Sequence, residues 1–520
     1  MNRLHRHSQL ALGLLILLAF AVRAITLDSQ SLWRDEVDAL RFARLPWAEM
    51  RANFVTAGFN GPLYHVLLRG WLALPGASEY SLRFFSLWFG VMGVALAFVL
   101  GARLYGRGVG VITALLVTTS PYLVWYSQEG KMYTLVVALA LLAIYALRRA
   151  VDGGGWPWWI IQVVATTFAF YSHILAALLI PLQVVLALLW WPQTRKHWVA
   201  GLISLACLVV PYLPLLAWQA PLVFRSRTTG FYPYTMGEMA RILLLAWVQG
   251  VQPVQGTLST LLRTAMGGLA VWSLWFAVLR PAARKTGACA EVQPPVAETT
   301  SAAWQAASAL APLIWILLPY LAVGIVSIWQ PLFTDRYLIW SVPAFYMLIA
   351  AGLVLFARSG TWGAGFAGIL LALILVGNGL HVWRQATVPA KSDLRSAAAY
   401  VVDYGKARLN MAVETYVHHQ YLPLAQTEGS GRTLIVFQIP HARYAFEYYA
   451  PGNGYEWANG AFTNHRDRSG AYLVTAEQNA ADMAATTAGY DVVWLVLTEW
   501  ESWDERGLVQ AWLEANAQRV

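Results

Sequence analysis

The sequence is poor in charged residues and in cysteine. Only 12% of its 520 residues are charged and 58% are hydrophobic, whereas about a quarter of the residues of a soluble domain are charged. This deficit excludes an ordinary soluble protein and indicates a polytopic membrane protein. The two cysteines, Cys207 in an apolar run and Cys289 in a polar stretch, provide neither a disulfide framework nor metal-ligand spacing.

Several functional motifs are also missing. The sequence contains no Gly-rich phosphate loop, no Walker motif and no zinc-protease helix motif. It shows no soluble nucleotide-binding domain, which disfavours a nucleotide-sugar donor. The net charge of +9 is spread over short clusters between apolar runs, so it indicates membrane topology rather than nucleic-acid binding.

Apolar runs long enough to cross a bilayer recur along the first 383 residues. A crossing helix needs about 20 residues, so we predict about eleven transmembrane helices. They lie near residues 8–27, 81–103, 108–125, 131–149, 156–172, 174–191, 198–218, 262–280, 308–328, 337–357 and 361–383. No small-x-small cleavage site follows the basic N-terminus, so the first span is predicted to be retained. The interrupted apolar stretch 241–256 is predicted to be interfacial or re-entrant.

Basic residues in the short loops predict the topology. With a cytoplasmic N-terminus, every inner turn contains Lys or Arg, as the positive-inside rule requires. These residues are Arg3, Arg6, Arg103, Arg107, Arg148, Arg149, Arg195, Lys196, Arg280, Arg284, Lys285 and Arg358. The protein is thus predicted to lie in the inner or plasma membrane, with a cytoplasmic linker at 281–307. The outer segments are 28–80, 219–261, 329–336 and 384–520.

The C-terminal segment 384–520 differs from the rest of the sequence. TLIVFQI and VVWLVLTEW are typical of buried strands, whereas SDLRSAAAYVVDY and EQNAADMAATTAG have helical spacing. We therefore predict a transmembrane catalytic module over 1–383, with a first outer loop at 28–80, followed by a small extracytoplasmic α/β domain over 384–520. The aromatic segment 440–452 within it is either a sugar-contacting surface or part of the domain's own packing.

Ionisable groups near a membrane face are costly to bury, so they indicate functional sites. The stretch WRDEVDAL places Asp35 and Glu36 after the first span. Two interpretations remain open for this pair. The carboxylates are an acidic first turn of a helix, favoured by the helix dipole, or one of them is a general base.

Three further polar stretches fall on the same predicted side. FNGPLYHVLLRGW contains His65, which is either structural or part of a site, and YSQEGKMY contains Glu129 and Lys131 in a short turn. DRYLIW contains Asp335 and Arg336. The two residues form an ion pair that anchors a helix end, or Arg336 binds phosphate, since the planar donor fork of Arg suits phosphate oxygens. The shared side predicts one extracytoplasmic cavity for a phosphorylated lipid, with cations on the phosphate and a carboxylate as base.

Five characteristic segments follow one another along the chain. They are SLWRDE, NGPLYHVLLRGW, SEYSLRFFSLWFGV, SPYLVWYSQEGKMY and DRYLIW. In this combination the sequence resembles the bacterial membrane glycosyltransferases of the GT-C superfamily, akin to protein O-mannosyltransferases and the lipid A aminoarabinose transferase. The resemblance covers residues 10–175 and DRYLIW. It implies a polyprenyl-phosphate-linked sugar donor, inverting transfer on the outer face, and an envelope glycan, lipid or protein as acceptor.

The resemblance also implies residue roles. Asp35 corresponds to the catalytic base, with Glu36 beside it, and Glu129 to a second acid that orients the acceptor. The remaining candidates for binding substrate or phosphate are His65, Arg83, Lys131, Asp335 and Arg336. Relatives often have Arg near the position of Lys131 and Tyr at the position of His65. Some relatives bind a divalent metal, for which Asp35, His65 and Glu129 are the candidate ligands.

A transporter or lipid flippase without transferase activity is the alternative. Such proteins have repeated halves with helices broken by Gly or Pro at the membrane midplane. Here the polar clusters lie at one predicted face, and no repeat relates the two halves of the sequence. The sequence therefore favours the glycosyltransferase.

Overall fold

The computed structural model describes residues 2–55, 60–224, 232–283, 302–402, 420–423, 432–451, 456–466, 471–498 and 501–519. The chain divides into two compact units. The first, here called the helical unit, comprises Met1–Leu27 and Phe42–Val388. The second, called the α/β unit, comprises Asp28–Arg41 and Pro389–Val520. Residues 28–41, which the sequence assigned to the transmembrane module, thus group with the C-terminal part of the chain.

Helices make up the helical unit. They are α1 (Asn2–Ala24), α3 (Trp47–Phe54), α4 (Leu63–Leu72), α5 (Glu79–Tyr105), α6 (Arg107–Thr119), α7 (Pro121–Ser127), α8 (Tyr133–Val151), α9 (Trp156–Ser172), α10 (Leu179–Leu189), α11 (Trp191–Thr194), α12 (Trp198–Phe224), α13 (Met236–Gln249), α14 (Thr257–Ala283), α15 (Ala302–Ser327), α16 (Val342–Ala357) and α17 (Thr361–Thr387). Short 3-10 helices cover Ile174–Leu178, Arg195–His197 and Asp335–Ser341. Helix α2 (Arg34–Arg44) crosses the boundary between the units.

Among the described residues, seven helices are long and apolar enough to cross a membrane, or eight if the bent pair α6–α7 counts as one span. This confirms a multi-pass helical protein but not the predicted count of about eleven. Two predicted spans form shorter helices, since α9 has 17 residues and the apolar helix Ile174–Leu189 has 16. Helix α13, which overlaps the predicted interfacial stretch 241–256, has 14 residues.

Local sequence explains where the key helices begin and end. Ser78 caps α5 in a reciprocal capping box with Ser81. Helix α6 stops at Ser120 because Pro121 follows, and a residue before proline is pushed out of the helical region. The two helices therefore meet at a 60° bend. The hydroxyl of Tyr346 on α16 lies 2.7 Å from Ser120 Oγ, which holds the bend in the interior.

The α/β unit contains a five-stranded sheet in the order β3-β2-β4-β1-β5. The strands are β1 (Gln420–Pro423), β2 (Thr433–Phe437), β3 (Glu456–Asn459), β4 (Val492–Val496) and β5 (Ala517–Arg519). The helices are α18 (Leu394–Val402), α19 (Ala442–Tyr449), α20 (Ala476–Thr487), α21 (Glu501–Asp504) and α22 (Leu508–Asn516). Strands β3, β2 and β4 are parallel, and β1 is antiparallel to both β4 and β5.

The core of the α/β unit confirms two strands and a helix expected from the sequence. Leu434 and Val436 of β2 and Leu495 of β4 pack with Met483 of α20 and Leu513 of α22. Burial on both faces explains why TLIVF and VVWLV are continuous apolar runs rather than alternating ones. The predicted linker 281–307 lies for the most part outside the described residues, between the end of α14 and the start of α15.

Candidate functional site

Asp335 and Arg336 lie in the helical unit, in the 3-10 helix that precedes α16. The hydroxyl of Tyr122 on α7 donates a hydrogen bond of 2.9 Å to Asp335 Oδ2. The guanidinium carbon of Arg336 lies 5.9 Å from the ring centre of Tyr133, the first residue of α8. Side chains separated by about two hundred positions in the sequence are therefore brought together at one end of α8.

Aromatic rings join these residues into one cluster. Tyr122 and Tyr126 have ring centres 4.9 Å apart, and those of Tyr126 and Tyr133 are 5.0 Å apart. The ring of His173 packs 4.8 Å from that of Tyr337. Burial, and to a lesser extent the charge of Arg336, lowers the pKa of His173 to about 3. The imidazole is therefore neutral at physiological pH and adds no positive charge beside Arg336.

Glu129 and Lys131 occupy the turn between α7 and α8, next to this cluster. Glu129 is buried, and Lys131 is half-buried. The Lys131 carbonyl accepts a hydrogen bond of 2.9 Å from Ser86 Oγ on α5. A Cβ at Gly130 would lie 2.6 Å from Leu82 Cγ, which explains the glycine between the two charged residues. Glu129 and Lys131 thus lie in the turn before α8, and Arg336, the chain neighbour of Asp335, lies near the first residue of the same helix. We call Glu129, Lys131, Asp335 and Arg336 the polar cluster.

His65 lies on α4 in an aromatic environment. Its ring centre is 4.8 Å from that of Phe54 and 5.7 Å from that of Phe42. Among the described residues, neither ring nitrogen has a hydrogen-bond partner. Burial, and to a lesser extent the charge of Lys131, lowers the pKa of His65 to about 3. His65 is therefore neutral and packs among aromatic rings, and its role in binding substrate stays a prediction.

His65→Phe is expected to make the protein less sensitive to acid. The folded-state pKa of about 3 lies below the unfolded value of about 6.5, so the unfolded chain binds a proton that the folded chain does not. Wild-type stability should therefore fall as the pH drops below about 6.5, by at most about 1.4 kcal/mol per pH unit for this residue. Thermal unfolding in detergent between pH 7.5 and 4.5 measures the difference. Exposed His441→Phe is the control, and identical pH profiles for wild type and His65→Phe would contradict the expectation.

Asp35 and Glu36 lie in the first turn of α2, within the α/β unit. Glu36 is fully buried, and its Oε2 lies 2.9 Å from Lys391 Nζ, which is itself 6% exposed. Asp35 is 15% exposed, and its Oδ1 lies 3.6 Å from Nε of Arg34. The two neighbouring acids thus differ, because one is locked in a buried ion pair and the other remains accessible.

Further hydrogen bonds hold the segment 28–41 to the residues that follow 389. Gln30 Oε1 accepts from the backbone amides of Ala390 and Lys391, both at 3.1 Å. Ser31 Oγ donates to the Ser392 carbonyl at 2.7 Å. The guanidinium of Arg41 stacks 3.4 Å from the ring centre of Tyr444 on α19. The position of Asp35 is therefore set by the C-terminal part of the chain.

Arg83 differs from the other proposed phosphate ligands. It lies within α5 and is 1% exposed. Its Nη1 donates a hydrogen bond of 2.9 Å to the carbonyl of Leu27, at the end of the first span. This contact is typical of a residue that fixes the backbone between elements. Within the described part of the chain, no group of three or more His, Cys, Asp or Glu side chains is arranged to hold a metal ion.

The sequence did not single out several residues of the site. Lys391 is 355 positions away from Glu36, and no local pattern connects the two. His173 follows α9 as an isolated histidine. The spacing of Tyr122 and Tyr126 could have indicated that the two side chains are neighbours, because residues four apart lie on one face of a helix.

Comparisons with known proteins agree with this architecture. Residues 60–218 match the family model described as dolichyl-phosphate-mannose-protein mannosyltransferase. No curated protein sequence gives a significant match to the chain.

Solved structures share the fold at low sequence identity. ArnT from Cupriavidus metallidurans, bound to undecaprenyl phosphate, is 13% identical with a TM-score of 0.52, over 86% of this chain and 85% of that chain. The apo oligosaccharyltransferase of Archaeoglobus fulgidus is 13% identical with a TM-score of 0.51, over 85% of this chain and 64% of that chain. AglB from the same organism, in complex with an inhibitory peptide and a dolichol-phosphate, is 12% identical with a TM-score of 0.51. The match covers 86% of this chain and 64% of that chain. The chain therefore spans about two thirds of the length of these oligosaccharyltransferases.

The fold is that of a multi-pass membrane protein. The family match over residues 60–218 and the fold shared with ArnT and the oligosaccharyltransferase support a membrane glycosyltransferase of the GT-C type.

Proposed function

We propose that this protein transfers a sugar from a polyprenyl-phosphate-linked donor to an extracytoplasmic glycan, lipid or protein acceptor, with inversion at the anomeric carbon. The family match to dolichyl-phosphate-mannose-protein mannosyltransferases supports a lipid-linked donor. So do two structures of the same fold, since ArnT is bound to undecaprenyl phosphate and AglB to a dolichol-phosphate.

The observation that carries the proposal is the polar cluster in the helical unit. Arg336 lies at the start of the candidate span Asp335–Ala357, and Lys131 lies just before the candidate span Tyr133–Val151. Two cations at the ends of apolar helices are at the depth of a lipid phosphate. Polyprenyl phosphate leaves as an anion, so its departure needs nearby positive charge more than a general acid.

Asp35 is the proposed general base. It removes the proton from the acceptor hydroxyl, whose oxygen then attacks the anomeric carbon from the face opposite the phosphate. The bond between the anomeric carbon and the phosphate oxygen breaks, and the phosphate keeps the electron pair. Glu36 is less suited to this step because its carboxylate is fully buried against Lys391. We propose Glu36 as a positioning residue for Asp35.

Glu129 is proposed to orient the acceptor, and Asp335 to hold the site in shape through Tyr122. The Tyr122 hydroxyl donates to Asp335 at 2.9 Å, which keeps Asp335 in place beside Arg336. The outer side of the plasma or inner membrane is proposed for both the polar cluster and the α/β unit, because the short loops of the opposite side contain the basic residues. In this orientation the α/β unit would select the acceptor.

Arg336→Gln is expected to reduce sugar transfer at least tenfold, because a charged contact to the phosphate worth more than about 1.4 kcal/mol is lost. The assay uses purified protein in proteoliposomes with a labelled polyprenyl-phosphate sugar, and mass spectrometry of envelope material with and without the protein identifies the acceptor. Arg358→Gln is the matched control, since Arg358 is exposed and follows the last residue of the same candidate span.

The two variants separate the proposal from its alternatives. Wild-type and Arg358→Gln proteins should transfer the sugar equally well, while Arg336→Gln does not. Equal transfer by all three would remove Arg336 from the donor site. No transfer by the wild type, together with movement of a labelled lipid or solute across the membrane, would favour a transporter instead.

A further inference from the structure

Two adjoining cavities lie in the helical unit, away from the polar cluster. The first, of about 200 Å³, is almost entirely apolar and lies among α8, α9, α10 and α12, with Ala187, Gly201 and Leu208 in its wall. The second cavity, of about 300 Å³, is lined by Lys196 and His197 and is here called the basic cavity. Trp159 and Trp198 line both cavities, so the two spaces meet at a shared wall. An apolar space thus opens next to a basic one.

The depth of each cavity follows from the helices that line it. The basic cavity lies where the candidate span Tyr133–Val151 ends and the candidate span Arg195–Pro221 begins. This is the depth of lipid headgroups, where Trp is also favoured. Along α12 the apolar cavity extends from Trp198 to Leu208, a rise of about 15 Å. That rise is about half of the hydrocarbon core, or one leaflet.

The charge of the basic cavity favours an anion. Lys196 and His197 line it, and Arg195 is the next residue. The nearby acid, Asp152, is already paired with Arg103 at 2.7 Å and with Arg148 at 3.1 Å. The charge of Asp152 is therefore neutralised by these two arginines rather than by Lys196.

The cavities are separate from the proposed donor site. Helix α8 has 19 residues, from Tyr133 beside the polar cluster to Val151 just before the loop of the basic cavity. This length corresponds to about 28 Å, nearly the thickness of the hydrocarbon core. The two sites therefore lie at opposite ends of α8, and a lipid in the cavities would belong to the other leaflet.

We propose that the two cavities form one binding site for an anionic glycerophospholipid of the surrounding bilayer. One acyl chain fills the apolar cavity and passes between Trp159 and Trp198. The phosphate of the headgroup lies beside Lys196 and His197. The site does not depend on glycosyl transfer, so its test is independent of the test of the proposed function.

The test measures lipid binding to the purified full-length protein in detergent by native mass spectrometry. Dioleoyl phosphatidylglycerol, dioleoyl phosphatidylcholine and undecaprenyl phosphate are added in separate titrations. Wild type is expected to retain phosphatidylglycerol in preference to phosphatidylcholine. Lys196→Gln should weaken phosphatidylglycerol binding about fivefold, because one basic residue near an anionic headgroup has about that effect. Binding of phosphatidylcholine should be nearly unchanged in this variant.

Filling the apolar cavity tests the position of the acyl chain. A Cβ at Gly201 would lie 3.8 Å from Trp159 Cη2, so Gly201→Leu should block the cavity and abolish retention of both phospholipids. Ala187→Leu fills the same cavity from α10 and serves as the second variant if Gly201→Leu does not fold. Arg107→Gln is the control for a general loss of charge, since Arg107 is exposed at the start of α6.

Four results would overturn the proposal. The first is equal binding of phosphatidylglycerol and phosphatidylcholine by the wild type. The second is the same loss of binding in Arg107→Gln as in Lys196→Gln. The third is unchanged retention of phospholipid in a folded cavity-filling variant. The fourth is that undecaprenyl phosphate binds more tightly than phosphatidylglycerol and that Lys196→Gln weakens this binding, which would make the cavities a polyprenyl-lipid site.

Discussion

Replacing Asp35 with asparagine is expected to reduce sugar transfer by about 10²–10⁴-fold, the usual contribution of a general base. Asparagine keeps the size of the side chain but cannot take the proton of the acceptor hydroxyl. Donor binding and folding should be retained, because Asp35 is 15% exposed and its contact with Arg34 is long, at 3.6 Å. Transfer from a polyprenyl-phosphate sugar in proteoliposomes measures the loss.

Asp38→Asn is the matched control for this loss. Asp38 lies one turn further along α2, and its Oδ1 pairs with Arg41 Nη1 at 3.1 Å near the surface. It changes the same functional group in the same helix, and transfer should stay within about twofold of wild type. Near-normal turnover in Asp35→Asn would remove this residue from the role of base. A comparable loss in both variants would point to a role of α2 as a whole.

Lys391→Met is expected to destabilise the α/β unit by about 3–5 kcal/mol, because it leaves the fully buried carboxylate of Glu36 without its partner. The ion pair is 2.9 Å long and nearly excluded from solvent, so water cannot replace the lost contact. Sugar transfer should fall as well, since α2 is held to the residues after 389 by this pair. Hydrogen exchange of the amides of α2 and α18 measures the local opening free energy.

The double variant Glu36→Leu/Lys391→Met distinguishes a buried charge from a packing defect. Replacing both partners with apolar side chains removes the uncompensated charge, so most of the stability should return. Arg432→Met is the control within the same unit. It breaks the Arg432–Glu456 pair, which is also short at 2.8 Å but about half exposed at both partners, and its effect should be much smaller. Failure of the double variant to recover would show that Lys391 acts by packing alone.

The membrane character of the fold could be predicted from the sequence because it follows from local composition. Continuous apolar runs indicate helices that cross a bilayer wherever they occur, and α5, α8 and α12 are found where they were expected. The number of spans was less certain because helix ends depend on tertiary contacts. The run 108–125 is divided at Ser120, and the run 174–191 begins in a 3-10 turn.

Part of the site could also be predicted. Acidic and basic residues next to apolar runs are costly unless they are used, and this argument selected Glu129, Lys131, Asp335 and Arg336, which the structure places in the turn before α8 and in the 3-10 helix before α16. The same argument selected His65, whereas Arg83 was added with the resemblance. In the structure Arg83 donates to the Leu27 carbonyl and His65 packs among aromatic rings, and these contacts between distant segments could not be predicted from the local sequence.

The sequence by itself determined a multi-pass membrane protein with polar groups gathered on one predicted side, since hydropathy and loop charge are properties of neighbouring residues. It left open which of Asp35 and Glu36 is suited to be the base, because the two are adjacent and chemically alike. Only the tertiary structure separated them, by burying Glu36 against Lys391, 355 positions away. Full burial of one carboxylate and partial exposure of its neighbour depend on contacts across the folded chain, which no local pattern encodes.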